Sequence, residues 1–151
     1  MPPQQPLLDR LDALFIPYAH RSADVLRWGL GISFVIGGGY KILSPPVYMA
    51  YFAPLFASLW PQALVPLEPV FMLAGLFELG FGVLLLANFH TPTVAGLTVP
   101  WLFGTNVNFV VAVAQGASSV DLLALYVGLM TMALGVALLS SQSRAARSGP
   151  S

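Results

Sequence analysis

The chain has no cysteine among its 151 residues. That excludes a catalytic thiol, a disulfide relay and a thiolate-held metal centre within it. Charge is nearly as scarce. Only 8% of the residues are charged, against about 25% in soluble domains, too few to cover a water-facing surface. Six basic and six acidic residues cancel to a net charge of zero, so no basic stripe offers itself to nucleic acid. No Ser/His/Asp set, HExxH motif or pair of catalytic carboxylates occurs, which leaves hydrolysis and phosphoryl transfer without a motif. The histidines are two, His20 and His90. Both are expected at a membrane edge without a carboxylate cluster, a poor setting for haem or metal. No intrinsic cofactor and no metal site are expected. The first residues, Met1 to Pro6, lack a basic region before a short apolar core, so no removable signal peptide is expected.

What the chain does have is apolar length. The hydrophobic fraction is 57% and the mean hydropathy +0.79. These values define an integral membrane protein, read here as one all-α domain over residues 1–151. There is room for about four spans of ~20 residues, placed at 24–43, 68–88, 92–115 and 120–140. Asp24 is suited to cap the first span, and Pro45-Pro46 stops it. Residues 47–66 are apolar but broken by Pro54, Pro61 and Pro66 and rich in Tyr48, Tyr51, Phe52, Phe56 and Trp60. They read as an interfacial or partly re-entrant loop. Pro100 removes a backbone bond to Gly96 and predicts a kink in the third span. Before the first span, Leu7, Leu8, Leu11, Leu14 and Phe15 share a face opposite Asp9 and Asp12. This is the pattern of an interfacial helix within 1–23. Residues 141–151 read as a flexible tail. Arg10, Arg21, Arg27, Arg144 and Arg147 lie on one side of a four-span arrangement and Lys41 on the other. The bias places both termini in the cytoplasm.

Within the second span stands Glu78. A carboxylate at that depth costs roughly 2.5–3.5 kcal/mol on insertion scales, so it must be paired, hydrated or protonated. Residues spaced three, four and seven apart share a helix face. Arg27, Gly31, Phe34, Gly38 and Lys41 form such a stripe on span one. Phe71, Gly75, Glu78 and Gly82 form one on span two. Thr98, Trp101, Thr105, Asn108 and Gln115 line up on span three, and Asp121, Ala124, Gly128, Thr131 and Gly135 on span four. Small residues permit close helix approach in lipid, and the simplest bundle turns all four stripes inward. By depth, the expected polar cluster is Glu78 with Asn106 or Asn108, opened toward Lys41 and Tyr40. Only one asparagine should reach Glu78, because the two point to different faces. Trp101, beside Pro100, offers a flat ring for stacking on a quinone or another apolar ligand. Plainer readings stand beside these. Glu78 can simply hold the bundle in register, and Arg27 and Lys41 can be charged interface anchors. Gly37-Gly38-Gly39 lacks the strand and Lys-Ser/Thr of a phosphate loop and reads as a packing surface.

On these residues the chain resembles the DoxX-like family of small four-helix membrane proteins. The resemblance rests on Arg27-Trp28-Gly29-Leu30-Gly31, on Gly38-Gly39-Tyr40-Lys41 and on Glu78-Leu79-Gly80-Phe81-Gly82. It covers residues 24–140. It implies a multi-pass protein of the bacterial or archaeal cytoplasmic (inner) membrane. Members have been linked to thiosulfate:quinone oxidoreduction, methylamine-dehydrogenase maturation and oxidative-stress complexes. The resemblance implies an accessory subunit of a quinone-linked oxidoreductase system, with a protein partner in the membrane and a quinone as the one candidate ligand. A small-molecule or proton carrier using Glu78 is the alternative, and a purely structural assembly subunit a further one. No self-contained catalytic motif supports an enzyme.

Overall fold

The computed structural model describes residues 18, 21–56, 66–116 and 120–147. Most of the expected interfacial helix, His20, the stretch 57–65 with Trp60 and the turn at 117–119 lie outside the described residues. Among the described residues five α-helices follow one another: α1 (Ser22–Leu43), α2 (Pro45–Phe56), α3 (Leu67–Leu86), α4 (Thr91–Ala114) and α5 (Val120–Arg147). Among the described residues there is no strand. Three helices among the described residues are long and apolar enough to cross a membrane: α3, α4 and the Val120–Gln142 part of α5. α1 has the length, 22 residues or ~33 Å, but carries Asp24, Arg27 and Lys41.

Local chemistry sets the boundaries. Ser44 ends α1, its N–H reaching Tyr40 O at 3.0 Å, and its carbonyl opens α2 by accepting from Val47 and Tyr48. Pro45 and Pro46 fill the first two positions of α2, where a missing N–H costs nothing. They therefore stop one helix and start the next, and the segment expected as an interrupted loop is helical as far as Phe56. The turn after α3 is a Schellman motif. Phe89 N–H donates to Leu84 O at 2.9 Å and Asn88 N–H to Leu85 O at 3.1 Å. Asn88 takes the left-handed conformation, φ 55°, that the motif requires at that position. Asp24 does not cap α1; no side chain does. Instead Asp24 pairs with Arg27 at 3.2 Å. α5 runs on to Arg147, through part of the expected flexible tail.

The helices form a ring in the order α1, α3, α4, α5, with α1 against α3 and α4 against α5 as the two extensive contacts. Glycines make the first one. A Cβ on Gly38 would stand 2.5 Å from the Gly75 carbonyl, and one on Gly82 would stand 2.8 Å from the Gly31 carbonyl. The two pairs share one antiparallel register, so the backbones touch twice, one heptad apart. The stripes expected on spans one and two are buried here. A second cluster fills the centre, with Leu30, Leu85, Val94, Leu102, Ala133 and Val136 from all four helices.

The other two stripes face differently from expectation. On α4 the buried face is Thr98, Leu102, Asn106 and Phe109. Trp101, Thr105 and Asn108 lie at its edge, and Gln115 is exposed. On α5 the stripe is turned outward: Asp121, Ala124, Gly128 and Thr131 are all exposed. α5 packs Tyr126, Leu129, Met130, Ala133 and Val136 instead. No α4 glycine carries this contact, since a Cβ on Gly96 or Gly104 would meet nothing within 4 Å. Tyr126, Leu129 and Met130 fill the space, and of the expected stripe Gly135 alone is partly buried, a Cβ there standing 3.5 Å from Leu26 of α1.

Candidate functional site

Arg27 and Lys41 were open to reading as interface anchors, but both are buried and both serve α3. The Arg27 guanidinium donates to the carbonyls of Leu85 at 2.6 Å and Leu86 at 3.1 Å. Those carbonyls belong to the last turn of α3, where intrahelical N–H partners run out; Leu85 O also accepts from Asn88 in the Schellman turn. A cation there also meets the negative end of the helix dipole.

Lys41 meets Glu78. Its ammonium donates to Oε2 of the carboxylate, and both side chains are more than nine-tenths buried. Helix geometry explains the meeting. Side chains lean toward the N-terminus of their own helix. In an antiparallel pair, Lys41 and Glu78 therefore lean toward each other across the Gly38–Gly75 contact. The Lys41 Cβ lies 2.7 Å from where a Gly75 Cβ would be, and the Glu78 Cβ 3.1 Å from where a Gly38 Cβ would be. Two glycines thus bring a cation and an anion together inside the bundle.

The second carboxylate oxygen faces α4. Trp101 Nε1–H donates to Glu78 Oε1 at 3.3 Å. Lys41 lies over the Tyr48 ring at 5.1 Å, a cation–π contact. Tyr48 stacks on Phe52 at 4.2 Å and meets Phe71 edge-on at 5.2 Å. Tyr126 of α5 lines the same space as Tyr48. α2 therefore closes one end of the bundle with Tyr48 directed at the pair.

Neither asparagine binds Glu78. Asn106 turns toward α5, its Nδ2 donating to Leu102 O at 3.0 Å and Tyr126 O at 3.3 Å. Its Oδ1 is buried without a partner. Asn108 donates to Gly104 O at 2.8 Å and stands on the wall of a cleft that Glu78 also lines. Tyr40 is half exposed at the rim of a smaller cavity, its ring 6.4 Å from Tyr48. Depth alone had brought the asparagines to Glu78, whereas the rotation of α4 directs them elsewhere. Sequence reading passed over Tyr48 and Tyr126 as part of the site. For Tyr126 the signal was a lone tyrosine in an aliphatic span, since a buried phenol needs a partner; Tyr48 lies among the aromatics of the stretch expected as a loop.

Two cavities reach the pair, one at each looser seam of the ring. The larger, about 520 Å³, lies between α3 and α4. Val70 and Ala74 form one wall, and Pro100, Gly104 and Asn108 the other. It occupies the half of the α3–α4 pair remote from the Schellman turn and ends on Trp101 and Glu78. The smaller, about 220 Å³, lies between α1 and α5, with Ser33, Gly37 and Tyr40 facing Leu129. Lys41, Tyr48, Glu78 and Tyr126 line both. Among the described residues no cluster of His, Cys, Asp or Glu is suited to a metal.

Apolar helices around an interior ion pair define a multi-pass helical membrane protein. The comparison with known families is specific: the DoxX family model matches residues 22–111, and the chain belongs to that family. The matched stretch holds Arg27, Lys41, Tyr48, Glu78 and Trp101, while Tyr126 lies beyond it. Searches of the curated proteins and of the solved structures gave no match.

Proposed function

We propose that this DoxX protein is an accessory, non-catalytic subunit of a membrane-bound, quinone-linked oxidoreductase system. The observation that carries the reading is the α3–α4 cleft. Its volume of about 520 Å³ is that of a small-molecule site. Its walls are mostly apolar, and its floor presents the Lys41–Glu78 pair and the Trp101 ring. A quinone head fits that chemistry. Its flat ring lies against Trp101, a carbonyl accepts from the Lys41 ammonium, and the apolar tail leaves between α3 and α4. Electrons come from the partner, since the chain has no thiol to hold an iron–sulfur centre. The chain crosses a bacterial or archaeal cytoplasmic membrane four times, with α1 as the first crossing and both termini in the cytoplasm.

The test is purification in gentle detergent from the native membrane, with wild type, Glu78→Gln and Trp101→Ala in parallel. Mass spectrometry then reads co-purifying proteins and extracted lipids. A quinone or redox partner held by wild type and lost from the variants supports the reading. A folded wild type that retains neither overturns it. A carrier function is the second reading, favoured by the two cavities that reach one ion pair from different seams. A proteoliposome flux unchanged by Glu78→Gln excludes that carboxylate from transport.

A further inference from the structure

The Lys41–Glu78 pair has the parts of an activated nucleophile. An amine that attacks needs a base within hydrogen-bond reach to take its proton, and the base needs a third group to orient it. Here the Lys41 ammonium donates to Glu78 Oε2, and Trp101 Nε1–H holds Oε1 of the same carboxylate at 3.3 Å. The three residues come from α1, α3 and α4 and converge on one end of the α3–α4 cleft. An ion pair that served packing alone would need no such space beside it. This one borders about 520 Å³, the size of a small-molecule site. Val70, Ala74 and Pro100 give that space apolar walls, and its amine is the single lysine of the chain.

We propose that Lys41 captures an apolar aldehyde from the bilayer as a protonated imine, with Glu78 first as base and then as counter-ion. The Lys41 ammonium passes a proton to Glu78, and the free amine adds to the aldehyde carbon, forming a C–N bond. The oxygen of the resulting carbinolamine takes one proton from the nitrogen and one from Glu78. It leaves as water as the C–O bond breaks and the C=N bond forms. No oxidant or reductant is consumed. The iminium keeps the positive charge of Lys41 beside the carboxylate and over the Tyr48 ring. The charge balance that a buried pair requires is therefore the same before and after. The apolar chain of the aldehyde lies along the cleft. The proposal rests on the cleft and the pair, not on the quinone reading.

The probe is decanal, added to the protein in phosphatidylcholine nanodiscs, which carry no lipid amine. Cyanoborohydride reduces the imine to a stable secondary amine. Proteolysis and mass spectrometry then measure the adduct on Lys41, with Lys41→Arg as the blank and added Nα-acetyl-lysine reporting that the reagents work. A Cβ on Gly104 would meet nothing within 4 Å, so Gly104→Leu narrows the cleft without striking a neighbour. Wild type is expected to carry the adduct, Gly104→Leu to form it roughly tenfold more slowly, and Glu78→Gln roughly a hundredfold more slowly. No adduct on wild-type Lys41 while Nα-acetyl-lysine reacts overturns the proposal, as does an equal rate in Gly104→Leu or in folded Glu78→Gln. Where Glu78→Gln does not fold, Gly104→Leu decides. Quinone extracted from a wild type that takes no adduct removes this proposal and leaves the quinone reading standing; an adduct without retained quinone does the reverse.

Discussion

Lys41 and Glu78 depend on each other because neither has water to return to inside the bundle. Removing one partner of such a pair costs roughly 3–5 kcal/mol, while replacing both by apolar side chains is often near neutral. Glu78→Leu alone is therefore expected to lower the melting temperature by roughly 10 °C, read by far-ultraviolet circular dichroism in detergent. Lys41→Met with Glu78→Leu should recover most of that loss. If the double variant melts no higher than the singles, the pair is not the unit of stability described here. Arg27→Met should cost about 1–2 kcal/mol through the uncovered Leu86 carbonyl, the bond lost at Leu85 and the lost dipole contact, with Arg27→Lys intermediate, in the same melt. The importance of Glu78 was legible in the sequence, because a carboxylate inside an apolar run stands out. Its partner was not. Depth along a helix follows from residue number, but rotation about the helix axis depends on packing. That rotation sends Asn106 to α5 and brings Trp101 to Glu78.

Helix contacts of two kinds hold the ring together, and glycine substitutions separate them. Gly38→Ala puts a methyl onto the backbone of α3, with nowhere to move but apart, and should destabilise by about 1–3 kcal/mol. Gly80→Ala and Gly96→Ala add a methyl to open space, and should stabilise by up to ~1 kcal/mol through helix propensity. Opposite signs in thermal melts support the contact; equal effects reject it. The inward stripes of α1 and α3 were readable because backbone contact demands glycine at fixed spacing. The same rule misled on α5. A row of small residues permits close approach without requiring it, and α4 offers a face filled by Tyr126, Leu129 and Met130. The prolines were read as stops, correctly for α1, but Pro45 and Pro46 occupy helix-starting positions as well.

At the scale of the whole molecule, the helical membrane class followed from composition, and the DoxX match covers more than half of the chain. If α1 crosses with the other three long helices, a phosphatase reporter that works only outside the cytoplasm should be inactive when fused before Met1 and when fused after Ser151. It should be active when inserted within 57–65. The opposite pattern inverts the orientation, and opposite results at the two termini remove one crossing. Biosynthesis gives the α1–α3 contact a further meaning. A ribosome delivers α1 first, yet the carboxylate for Lys41 and the carbonyls for Arg27 both belong to α3. The buried partners of α1 are therefore complete only once α3 has been made, and the order of synthesis is not the order of assembly.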